Sequence, residues 1–129
     1  MSDFQQFMKQ REAAASAYCR CEGKPVDALT TPHNPASFFG QDGKAVKGAK
    51  AVRENFDAGA RNFGPSGESH FEIFDARSSG DVGYWTGLQH AEVEMAGKHM
   101  PMSLRVTELF RREAGEWKLV HRHADPLKA

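Results

Sequence analysis

The chain has 129 residues, of which 40% are apolar and 26% charged. That is ordinary globular usage, which excludes a disordered or collagen-like chain and fits a single domain over 1–129. Lys plus Arg and Asp plus Glu each number 17, and a zero balance argues against nucleic acid or an anionic membrane as the main partner, because such binding rests on a net basic field. No apolar run approaches the roughly 18 residues of a membrane span and the N-terminus has no apolar signal core, so a soluble, cytoplasmic protein is expected.

Residues 3 to 21 place Phe4, Phe7, Met8, Ala14, Ala15 and Tyr18 at helical spacing, with a capping box at Ser2 and Gln5 and a stop at Gly23 and Pro25. Cys19 and Cys21 diverge around that helix and read as reduced thiols, not as a bridge. A short helix is expected over 25–31, halted by Pro32 and Pro35. Residues 36–47 read as a small hairpin turning near Asp42-Gly43. A third helix over 49–63 carries Val52, Phe56, Ala60 and Phe63 along one stripe.

From residue 68 the period becomes two. Four strands are expected, His70 to Arg77, Val82 to Ala96, His99 to Arg112 and Glu116 to His123, separated by turns at 78–81, 97–98 and 113–115. Helices followed by a meander predict an α+β domain, helices on one face of a curved antiparallel sheet. A two-residue turn at Gly97-Lys98 and a three-residue turn at Glu113-Ala114-Gly115 would set His90 beside Arg105, Leu88 beside Thr107, Thr107 beside His121 and Arg105 beside His123. One face then shows His90, Arg105, Thr107, His121 and His123. The other shows Val93, Met102, Leu104, Val106, Phe110 and Val120.

The polar row admits two readings. Facing solvent, it is a routine charged surface. Lining a cavity, it needs a polar or anionic ligand. In that case Arg105 is the fixed charge that stabilises developing negative charge, and His121 or His123 is the proton carrier, its pKa depressed by the neighbouring guanidinium. Asp125 orients one of these histidines or caps the strand.

The run RVTELFRREAGEWKLVHRHADP, residues 105 to 126, resembles the closing hairpin of SnoaL-like and ketosteroid-isomerase-like proteins, the nuclear transport factor two-like superfamily. The matching features are Arg-x-Thr at Arg105 and Thr107, a basic turn with Gly115, Trp117, and His-x-His at His121 and His123. Upstream, Phe38-Phe39-Gly40, Asp42-Gly43 and Gly48 look like the family's stretch before the third helix. The chain is also similar to the association domain of calcium/calmodulin-dependent kinase. The resemblance implies a cone-shaped, cystatin-like α+β fold with about three N-terminal helices. It further implies a pocket between helices and sheet with Arg105 and the histidine pair in or near it, and a homodimer through the other sheet face. It does not extend to the carboxylate base of ketosteroid isomerases, whose place is taken by Phe39.

The expected function is binding of an unknown small organic ligand, with lyase, isomerase or cyclase chemistry by His121, His123 and Arg105. The alternative is a non-catalytic homo-oligomeric association module. His33, Phe38, Trp85, His90 and Thr107 are candidate ligand contacts, and the first three are set against plainer roles: loop residue for His33, core packing for Phe38, packing or dimer contact for Trp85. A zinc site at His90, His121 and His123 is disfavoured because Arg105 among them opposes a cation. No cofactor is expected.

Overall fold

The computed structural model describes residues 2–128. Helix α1 spans Asp3–Tyr18, α2 Lys24–Leu29 and α3 Ala49–Ala60; strands β1 to β6 span Ser37–Phe39, Ala45–Lys47, Glu68–Ser79, Val82–Met95, Lys98–Glu113 and Glu116–Pro126. The strands form one open sheet in the order β2-β1-β6-β5-β4-β3. All neighbours are antiparallel except β1 and β6, so the sheet is mixed where the sequence suggested an antiparallel one. Among the described residues no helix is long and apolar enough to cross a membrane.

The capping box forms as expected: the Gln5 amide donates to Ser2 Oγ at 3.1 Å and the Ser2 amide to Gln5 Oε1 at 2.9 Å. Helix α1 then buries Phe4, Phe7, Met8, Ala14 and Ala15 against the sheet, each of the larger side chains contributing about 1.5–3 kcal/mol. Phe4 and Phe7 meet Phe110 edge-on at 5.9 and 5.0 Å between ring centroids. Close approach is possible because β4 carries Gly83 here; a Cβ at that position would lie 2.6 Å from the Phe4 ring. On the second flank α3 buries Val52, Phe56 and Ala60. All three helices therefore cover one sheet face, and the other is open.

The two long hairpins turn differently from the expectation. Ala96 and Gly97, with φ of 52° and 77°, and Ala114 and Gly115, with φ of 49° and 81°, are two-residue turns with both residues left-handed, whose twist suits hairpins. Met95 therefore pairs with Lys98 and Glu113 with Glu116. As a result Leu88 sits opposite Arg105 and His90 opposite Ser103, two residues along from the expected partners. A bulge then lets Leu109 face His121 while Phe110 faces Leu119, which leaves Val120 over. Thr107 pairs with His123 and Arg105 with Asp125. A two-residue slip preserves which side chains share a face.

Candidate functional site

The helix-covered face holds Val93, Leu104, Val106 and Phe110, as the alternation required, and the polar row lies on the open face. This places Arg105, Thr107, His121 and His123 away from the helices, not in a pocket beneath them. Burying the aliphatic and aromatic set against Phe4, Phe7 and Phe56 leaves the charged set to solvent. The histidines and Arg105 nevertheless come together as a row.

On the open face, Arg105 donates from Nε and Nη2 to the Asp125 carboxylate at 2.6 and 2.7 Å, and His123 Nε2 lies 3.4 Å from the same carboxylate. Arg105 and Asp125 hold each other charged, which draws the carboxyl below its usual range. His121 Nδ1 hydrogen-bonds Ser37 Oγ at 2.7 Å, and the Phe39 ring stands against both His121 and His123. Burial, then the neighbouring His123, pushes the His121 pKa down; the expected cause, Arg105, is occupied by Asp125. A shallow depression of about 480 Å³ includes Phe74, Leu88, Arg105, Thr107, His123 and Asp125 in its walls. His90 stands apart from it, bonded to Ser103 Oγ at 3.0 Å and Glu72 at 2.9 Å.

The other candidate contacts separate. Phe38 packs edge-on against Phe56 at 5.2 Å. His33 is an exposed loop residue, its amide donating to Thr31 Oγ1 at 3.0 Å. Trp85 is 0% exposed, beneath the helices, and leads to the polar centre that the sequence reading missed.

That centre is built on Glu108 of β5, which is 0% exposed. Arg11 of α1 donates Nε to Glu108 Oε1 at 3.0 Å and Nη2 to Oε2 at 2.7 Å. Trp85 Nε1 donates to Oε1 at 2.8 Å, and Arg122 Nη1 of β6 to Oε2 at 2.7 Å. Arg122 Nη2 continues to Gln89 Oε1 at 2.7 Å, whose Nε2 donates to Ser69 Oγ at 3.3 Å. Burial by itself would push the Glu108 carboxyl up, but the two guanidiniums outweigh it and hold its pKa down to about 2. Burial pushes the nearby Tyr18 hydroxyl up to about 12.

Each residue carried a signal. Arg11 falls inside the apolar stripe of α1, between Met8 and Ala14. Glu108 falls in phase with Leu104, Val106 and Phe110. Arg122 sits between the two histidines that drew attention, and alternation turns it to the opposite face. The pattern of a charge on a buried stripe could have found all three.

A family model described as a SnoaL-like domain matches residues 11–126. No curated protein gives a match. Among solved structures, a protein described as a dehydratase of the NTF2-like family from Streptomyces avermitilis is 21% identical, covering 98% of this chain and 97% of its own, with a TM-score of 0.79. A ketosteroid isomerase-like protein from Erwinia carotovora atroseptica is 17% identical over 99% and 98%, with a TM-score of 0.77. A protein described as a calcium/calmodulin-dependent protein kinase type II association domain, from Thiobacillus denitrificans, is 17% identical over 92% and 93%, with a TM-score of 0.73. At these identities the likeness is one of fold.

Proposed function

The chain belongs to the SnoaL-like family, and on that premise we propose that it is a small-molecule-binding domain whose ligand is received between the helices and the sheet, at the Arg11–Glu108–Arg122 cluster. The observation that carries this reading is the cluster itself. Three charged side chains lie at 2%, 0% and 8% exposure in the middle of a largely apolar layer. Well-packed apolar residues of similar volume in such a place are often neutral or more stable, so stability alone gives little reason for the charges. Perturbed, buried titratable groups concentrate at functional sites. Glu108 is ionised and already accepts four hydrogen bonds, so the cluster binds and orients in place of transferring protons. The reading is therefore one of binding, and the proton-transfer roles expected for His121, His123 and Arg105 lie outside it. A thermal-shift screen of small organic molecules tests it: ligands should raise the melting temperature of the wild type and not of Arg122→Met. Equal shifts in both would remove the cluster from the site.

A second reading, association of copies of the chain, is favoured by the open face. It exposes Phe39, Phe74, Val82, Leu109 and Leu127, and large apolar patches rimmed by polar groups mark interaction surfaces. We propose a homodimer joined through this face, compatible with a ligand beneath the helices on the other. Light scattering on the eluted protein measures the mass directly.

A further inference from the structure

The polar centre under the helices is short of one negative charge and one hydrogen-bond acceptor. Arg11 and Arg122 each bring one positive charge, and Glu108 is the only carboxylate that bonds them among the described residues. The neighbouring Tyr18 and Cys19 do not close the gap, since burial pushes both of their pKa values up and keeps them neutral. Hydrogen bonding shows the same deficit. A carboxylate has about four lone-pair positions. Those of Glu108 are taken by Arg11 Nε, Arg11 Nη2, Trp85 Nε1 and Arg122 Nη1. The Gln89 carbonyl accepts from Arg122 Nη2. Arg11 Nη1 is buried with no partner among the described residues, and its side chain is only 3% exposed.

Burying an unpaired charge is costly, and an unmet guanidinium N–H adds the desolvation of that donor. A water molecule would satisfy the N–H but leave the charge. An anion satisfies both.

We infer that the ligand class of this site is a small organic carboxylate, one of whose oxygens accepts from Arg11 Nη1 and whose charge completes a two-cation, two-anion cluster with Glu108 and Arg122. The inference rests on the small-molecule reading above and narrows it to a charge type. Charge-assisted bonds to guanidinium are roughly twice as strong as neutral ones, so discrimination against an uncharged isostere should be large.

Calorimetric titration of the full chain with benzoate and acetate, and in parallel with benzamide and acetamide, makes the comparison in low-salt buffer. Benzoate should bind at least about tenfold more tightly than benzamide, a ratio expected when a site's buried donors and charge are left unmet. Arg11→Met removes the unmet donor, keeps Arg122 as the partner of Glu108, and should lose benzoate binding while still showing a cooperative melt. Arg11→Lys keeps the charge without the fork and should retain weakened binding. Equal affinity for benzoate and benzamide, or wild-type benzoate affinity in Arg11→Met, would overturn the inference. If neither series binds, the carboxylate inference falls, while the library screen on wild type and Arg122→Met still judges the cluster as a binding site by itself.

Discussion

Arg11 of the first helix and Glu108 of the fifth strand form a two-bond ion pair, 3.0 and 2.7 Å, with both side chains at 3% exposure or less. Arg122 reaches the same carboxylate from the sixth strand. One acidic residue thus ties the N-terminal helix to the C-terminal strand through the middle of the core.

Removing the charge of that residue should be strongly destabilising. Glu108→Gln leaves two buried guanidiniums without a counter-charge, and breaking a buried pair on one side costs about 3–5 kcal/mol. Arg11→Met strips two of the four bonds from this buried carboxylate but leaves Arg122 as its counter-charge, so it should cost less than Glu108→Gln. Urea unfolding of the two variants measures the asymmetry; equal losses would mean that the cluster carries no net charge.

The cluster also sets an acid limit. The Glu108 pKa lies near 2 in the folded chain against an ordinary value of 4.5. Its folded-state pKa is depressed, so the stability it contributes is complete above about pH 4.5 and is lost as pH falls toward 2. Unfolding free energy followed from pH 6 to pH 2 should drop across that window, and the drop should be smaller in Glu108→Gln.

Asp27 of α2 behaves in the opposite sense. Burial first, then its hydrogen bond and charge repulsion with Asp57 of α3, raises its pKa to about 6, only partly offset by Arg53. The folded chain holds a proton that the unfolded chain releases from its ordinary value of 3.8 upward. Stability therefore falls as pH rises from about 4 to about 6. Asp27→Asn should stabilise the protein by about 1–2 kcal/mol at pH 8 and by much less at pH 4. Denaturant midpoints at the two pH values give the difference, and a pH-independent effect would contradict the raised Asp27 pKa.

At the interface of α1 and the sheet, Gly83 has no room for a larger residue. A Cβ there would meet the Phe4 ring at 2.6 Å, so Gly83→Val should destabilise by about 1–3 kcal/mol through overpacking. A melting curve unchanged from wild type would mean that Phe4 swings aside freely.

On the open face, Phe74 stands 65% exposed at the β3 bulge. Phe74→Glu should convert the proposed dimer to monomer while leaving the melting of the monomer unchanged, measured by light scattering and thermal denaturation. A wild type that is already monomeric at micromolar concentration would contradict association through this face.

Element order, and the division of side chains between the two faces except at the β6 bulge where Leu119 takes the buried place in preference to Val120, are legible from periodicity. Alternation through Leu104, Val106 and Phe110 fixed one face, and Arg105, Thr107 and His123 necessarily took the other. Register is less accessible, because Ala96 and Ala114 occupy left-handed positions that sequence favours giving to Gly, Asn or Asp, so a reading from sequence sets the first turn one residue late and makes the second one residue too long. Alternation alone does not say which of the two faces the helices cover. Histidine and Arg105 attract attention by their chemistry, whereas Arg11, Glu108 and Arg122 are distinguished only by falling on buried stripes. Their significance depends on three distant segments meeting, which no local pattern reports.

The central claim is that ligand meets the cluster beneath the helices. Trp85 Nε1, bonded to Glu108 at 2.8 Å, gives an indole resonance at the centre of that site, and Trp117 supplies an internal control because it does not bond the cluster. A ¹H–¹⁵N spectrum recorded during titration with benzoate should show the Trp85 indole signal moving in a saturable manner while that of Trp117 stays in place. A stationary Trp85 signal, with shifts confined to Leu88, Thr107 and His123 of the open face, would contradict the account and move the site to the other side of the sheet.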